Sequence, residues 1–244
     1  MKIFKIILKL LIFLSLVAYL VYAFMHLTGK GDQTVCDQVV VRMNDAERGF
    51  ITPSEVDRML QDSLCYPVGV TMQRIDGKKI EEVLLKNPYI ETALCYKGAG
   101  GIVHILLEQH VPLMRVLADN GEDYYLTETG VCLPPLHYRR NLLVATGTIN
   151  QKYATTKLRD LALFVEAHDF WNAQFEQAHV ATDGKVLLYP RIGKQIIKLG
   201  KVEKIETKMA NLKLFYDKVM PVVGWNKYKE LNIAHVNQVI GVRK

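Results

Sequence analysis

The stretch "IEEVLLKNPYIETALCYKGAGGIVHILLEQHVP", Ile80 to Pro112, decides the fold of the first half of the chain. Ile80, Val83, Leu84 and Asn87 recur at helical spacing, so they predict one apolar face on a helix that Asp76 caps. Pro88 denies Asn87 an easy helical conformation, and the helix stops there. Ile90 to Tyr96 and Ile102 to Gln109 then read as two strands joined by "KGAGG", whose glycines tolerate the positive φ of a tight hairpin. Val103, Ile105 and Leu107 alternate with His104, Leu106 and Glu108, which turns one face of the hairpin toward the helices. A phosphate loop would continue into Lys-Ser/Thr and a helix; this one continues into a strand.

Upstream, "VCDQVVVRM" from Val35 to Met43 has the β-branched content of a strand. In "FITPSEVDRML", Thr52 as cap, Pro53 at the first helical position and Glu55 three residues after the cap predict a capping box. Val56, Met59 and Leu60 give that helix an apolar stripe ending near Leu64. The first folded domain, 34–111, is therefore β-α-α-β-β. Downstream, 112–244 reads as short strands with two helices. "DYYLTETGVCLPP" and "FEQAHVATDGKVLLYP" predict hairpins, "NLLVAT", "KQIIKLG", "KELNIAHV" and "QVIGVR" single strands. Leu158, Leu161, Phe164 and Val165 form one helical stripe, and Ile205, Met209, Leu212 and Phe215 or Tyr216 another. The class is α+β, with a mostly antiparallel second domain under two covering helices.

The N-terminus carries a different signal. Between Leu10 and Leu27 no charged residue occurs, and Leu10, Leu14, Val17, Leu20, Phe24 and Leu27 belong to a helix about 27 Å long, near the thickness of a hydrocarbon core. Lys2, Lys5 and Lys9 precede it, which predicts a cytoplasmic tail 1–9, a span 10–27 and export of everything after. A cleaved signal peptide is the rival reading, but Ala18 and Ala23 do not make a small-x-small cleavage site. The net charge of +6 loses half its excess with those three lysines; the remainder holds 28 Lys and Arg against 25 Asp and Glu. That balance does not predict a nucleic-acid partner.

Candidate chemistry is sparse. The three serines are Ser15, Ser54 and Ser63, one inside the apolar span and two in or beside the capped helix, where none makes a nucleophile elbow. Cys36, Cys65, Cys95 and Cys132 form no CxxC pair, which argues against zinc and leaves disulfides open. His104, His110, His137, His168, His179 and His235 are scattered, so no metal site and no cofactor is expected. Glu81-Glu82 and Glu122-Asp123 are adjacent pairs unsuited to acid/base work. Lys194, Lys198, Lys201, Lys204 and Lys208 read as a solvated face, with an anionic wall polymer or an acidic partner as the alternative. An enzymatic alternative, a membrane-anchored periplasmic cell-wall enzyme, would use Cys132 or a histidine such as His137.

"FITPSEV", "RIDGKKIEEVLLKNPYIETALCY", "ILLEQHVPLMRV" leading to "YYLTETGVCLPP", then "YPRIGKQIIKLG" and "LNIAHVNQVIGV", form an ordered set that resembles the bacterial cell-division family FtsQ/DivIB. The resemblance implies that the first domain is a POTRA domain and the second an FtsQ-type β domain. It further implies a non-enzymatic, single-pass protein of the inner membrane, N-terminus cytoplasmic and C-terminal part periplasmic, enriched at the septum. The implied partners are divisome membrane proteins, the small coiled-coil FtsB and FtsL, with no small-molecule substrate and no cofactor. Their implied contact is strand addition along 233–242, through Ile233, His235, Val236, Gln238, Val239, Ile240 and Val242. A POTRA chaperone of outer-membrane assembly would continue into a barrel of alternating strands, for which this chain has no segment.

Overall fold

The computed structural model describes residues 2–28, 34–44, 47–135 and 141–244; on the first helix, side chains are described from Lys9 to Phe24. That helix, α1, runs Lys2–Thr28. Leu10, Leu14, Val17, Leu20 and Phe24 are exposed along it, and the side chain of Leu27 lies outside the described residues. Among the described residues no helix is long and apolar enough to cross a membrane.

The chain divides into two compact units, Met1–Ala46 with Ile51–Gln109, and Glu47–Phe50 with His110–Lys244. The folded part of the first contains β1 (Gln38–Met43), α2 (Pro53–Asp62), α3 (Gly77–Leu85), β2 (Ile90–Lys97) and β3 (Ile102–Gln109). At the start of α2 the Glu55 carboxylate accepts the Thr52 backbone N–H at 2.8 Å, and Asp76 accepts the Lys79 N–H at 3.2 Å to open α3. Both helices bury a narrow stripe, Val56 with Leu60 and Ile80 with Leu84, and Val103, Ile105 and Leu107 are buried on β3. The sheet order is β1-β3-β2, with β1 parallel and β2 antiparallel to the central strand. The expected stripe of α2 does not reach Leu64. The helix ends at Asp62, and Leu64 turns to φ 53° with its side chain 93% exposed.

Among the described residues the second unit forms one sheet of nine strands in the order β12-β11-β10-β9-β8-β7-β4-β5-β6. Its members are β4 (Pro112–Ala118), β5 (Asp123–Thr127), β6 (Cys132–Leu133), β7 (Leu143–Gly147), β8 (Phe175–Val180), β9 (Val186–Pro190), β10 (Ile196–Gly200), β11 (Tyr228–Asn232) and β12 (Ile240–Arg243). Three neighbouring pairs are parallel, β4 with β7, β7 with β8 and β10 with β11, and the others are antiparallel. Adjacent parallel strands need a long crossover. Between β7 and β8 it is α4 (Gln151–Tyr153), a π-helical turn (Ala154–Leu158), α5 (Arg159–Glu166) and α6 (Asp169–Gln174). Between β10 and β11 it is α7 (Ile205–Lys218) with α8 (Met220–Val223).

Burial alternates along the strands, so Met114, Val116, Ala178, Leu188, Ile197 and Leu231 share one core with Leu158, Leu161, Val165, Met209, Leu212 and Tyr216 of the crossovers. Arg48 bridges the carboxylates of Glu128, at 2.7 Å, and Glu166 within this unit. One residue of the expected lysine face departs from it. Lys208 is buried, its ammonium donating to the carbonyls of Leu199 at 3.1 Å and Lys201 at 2.8 Å, and burial lowers its pKa below the ordinary lysine value. Helical spacing puts position 208 beside Met209 and Leu212 on the inward side, where a long side chain finds carbonyls instead of water.

Burial also pushes the Tyr124 and Tyr216 hydroxyls up to about 12. In the unfolded chain both titrate near 10, so between about pH 10 and 12 the folded state holds protons that the unfolded state has lost. The stabilisation is complete below pH 10 and falls as pH rises through the folded values. Urea unfolding followed at pH 8 and pH 11 should show a lower midpoint at pH 11, and Tyr216→Phe should reduce that difference.

Candidate partner-binding edge

The two ends of the nine-stranded sheet are unlike. β6 has two residues and runs into Pro134 and Pro135, which cannot donate to a ladder. β12 pairs antiparallel with β11 alone among the described strands, Asn232 opposite Ile240, Leu231 opposite Gly241 and Glu230 opposite Val242. It contains no proline. Its outer backbone edge thus has the geometry that accepts another strand.

Side chains on this edge sort by the two-residue period. Leu231 is fully buried, and its opposite number is Gly241. A Cβ on Gly241 would stand 2.5 Å from Cε1 of Tyr228, so glycine is required for the Tyr228 ring to lie across the strand. Tyr228 in turn meets Phe215 of α7 edge-on, centroids 5.6 Å apart. This stack fastens the last strand to a helix of the core. On the opposite face Ile240 and Val242 are 43% and 37% exposed, and the Lys198–Glu230 ion pair, 2.9 Å, lies on the adjoining strands.

Of the residues expected to meet a partner, Ile240 and Val242 lie on the edge strand itself. His235, Val236 and Gln238 belong to the connection from β11, with His235 and Gln238 exposed; the Val236 carbonyl accepts from Asn211 of α7 at 2.5 Å. Val239 is half-buried against the core. Ile233 has no exposed surface, follows β11, and donates its N–H to the Lys198 carbonyl at 2.9 Å. Its side chain is part of the core. Gly241 and Tyr228 were missed from the sequence, although a lone glycine inside a strand pattern signals a close approach.

Among the described residues, those with chemical potential do not converge. Cys132 Sγ accepts from Gln151 Nε2 at 3.6 Å, and burial raises its pKa, which keeps it a thiol instead of a nucleophilic thiolate. His137, the alternative candidate, lies outside the described residues. Cys95, pushed up to about 11 by burial, lies on β2, where its N–H donates to Glu81 of α3. The four cysteines are unpaired. His104 stacks on Tyr96 at 4.9 Å, His168 Nδ1 is 2.7 Å from the Phe164 carbonyl, and His179 Nδ1 is 3.1 Å from Thr146 Oγ1. Among the described residues no group of three or more His, Cys, Asp and Glu could hold a metal.

Residues 111–242, the whole sheet to its terminal edge, match the family model described as FtsQ/DivIB, C-terminal related. The chain belongs to that family. Residues 34–108 match a POTRA-like domain, which covers the three-stranded unit. Comparison with curated proteins gave no significant match. FtsQ/DivIB proteins are non-enzymatic scaffolds of cell division, which agrees with a second unit whose notable feature is a sheet edge.

Gly241→Val should force the Tyr228 ring out of place and loosen β12. We expect a loss of stability of about 1–3 kcal/mol, the usual cost of overpacking, and faster amide exchange at Ile240–Arg243 than at the core strands, measured by hydrogen exchange.

Proposed function

We propose that this protein is a single-pass scaffold of the division machinery that captures a partner by strand addition to β12. The observation that carries the reading is the outer edge of β12, which among the described strands pairs with β11 alone and carries neither the brevity nor the prolines of the other terminal strand. An incoming segment would complete the ladder there, its main chain supplying affinity and its alternate side chains meeting Ile240 and Val242. The partners proposed are the small coiled-coil division proteins FtsB and FtsL. Gln238 and His235, exposed ahead of the strand, would flank the start of the added segment.

Supporting the membrane part are the charge-free run from Leu10 to Leu27 and the lysines before it. They favour an N-terminus in the cytoplasm and both folded units in the periplasm, at the inner membrane of the septum. Of the hairpin in the POTRA-like unit, β2 is an edge while β3 is central, so only β2 could offer backbone to a neighbour.

Charge on the edge tests strand addition without attacking the core. Ile240→Glu should leave the thermal midpoint of the protein nearly unchanged, because the side chain is already partly in water, yet abolish co-purification with FtsB and FtsL from dividing cells. Co-purification at the normal level would refute the proposal. Cys132→Ala should leave division intact; filamentation with that variant, the fold being retained, would favour the enzymatic alternative.

A further inference from the structure

Charge is distributed unevenly along the chain. Residues 191–244 hold twelve Lys and Arg against four Asp and Glu, a surplus of eight, although the excess of the whole chain is six. This segment makes β10, α7, α8, β11 and β12, one end of the nine-stranded sheet. Two of its four carboxylates are already engaged, Asp217 with Lys213 at 2.6 Å and Glu230 with Lys198 at 2.9 Å. Lys218, Lys227, Lys229, Arg243 and Lys244 are exposed.

Between Lys218 and Lys227 the chain makes an apolar tip. α8 ends at Val223, and Gly224 at φ 82° turns the backbone, a conformation that disfavours any residue with a Cβ. Lys227 then closes the turn by donating to the Gly224 carbonyl at 3.2 Å. Val222 is 84% exposed, Val223 37% and Trp225 47%. Met220, fully buried, and Tyr216, whose ring centroid is 5.1 Å from that of Trp225, hold the turn from below. The Lys244 N–H donates to the Lys227 carbonyl at 3.3 Å, which brings the terminal cation beside it. Side chains this open to solvent can be surrounded by a fluid layer, and the exposed lysines on either side, Lys218 and Lys227, complement an anionic one.

We propose that the Val222–Trp225 turn is a membrane contact that enters the headgroup layer of a bilayer carrying anionic lipid. Tryptophan suits that layer because its ring is apolar and its indole N–H polar. The valines add buried apolar area, and the surrounding cations find lipid phosphates. Ile240 and Val242, on the edge strand, remain for the strand partner. The inference uses the tether reading only in that α1 would bring lipid within reach.

The test uses the full chain reconstituted with vesicles of phosphatidylcholine alone or mixed with phosphatidylglycerol, each with and without brominated acyl chains. The difference between wild-type and Trp225→Phe emission isolates Trp225. Expected is a blue shift and bromine quenching of Trp225 in the anionic vesicles, lost in Val222→Asp and in Lys218→Glu/Lys227→Glu. Water-like Trp225 emission in every vesicle, or equal quenching in neutral and anionic vesicles, overturns the proposal. So does protection of Trp225 that develops only when an acidic protein partner is added. Flotation reads α1 separately: a chain that floats while Trp225 stays water-like sinks the tip alone, and one that does not float sinks the tether as well.

Discussion

Backbone groups in a sheet must find partners, and that requirement organises the second unit. Seven of the nine described strands are flanked on both sides by another. The terminal two answer the constraint differently, β6 by brevity and prolines, β12 by leaving one side available. For β12 to remain a strand at all, something other than a second neighbour must hold it. The Tyr228 ring laid over Gly241 and braced by Phe215 supplies that hold, so the strand stays ordered with β11 as its one neighbour among the described strands.

The second constraint is one-sided burial. Because side chains alternate along a strand, the helices α5 and α7 cover inward positions such as Ile197 and Leu231 while Lys198 and Glu230 stay on the other face. The crossovers that complete the parallel pairs also provide that cover. The family is one of non-enzymatic division scaffolds, and what this domain presents to a neighbour is an edge and a surface. Burial raises the pKa of Cys36, Cys95 and Cys132, the opposite of what an activated thiol needs.

Electrostatics adds a direction to this arrangement. The strand edge and the cationic, valine- and tryptophan-bearing turn come from the same last fifty-odd residues, so the end of the sheet that offers backbone also carries the surplus charge. A ladder edge is short-ranged and specific. The positive field reaches further, over about 10 Å at moderate salt, and would draw an anionic surface or segment toward it.

Periodicity and end signals in the sequence by themselves determined the elements of the first unit: the Thr52-Pro53-Glu55 start, the Asp76 cap, the Pro88 stop and the Val103-Ile105-Leu107 face are local, and each rests on neighbours within a few residues. The same holds for the Asp183-Gly184 hairpin and for the stripes of α5 and α7. Only the tertiary structure decided that β1 lies parallel beside β3, that β7 sits between β4 and β8, and that Ile233 and Lys208 turn inward. Those choices depend on partners far away in the chain, and a run of β-branched residues looks alike on an edge or in the middle of a sheet. Which strand is left with an open side is a property of the whole ladder, so the place of β12 became visible only when all nine strands were in order.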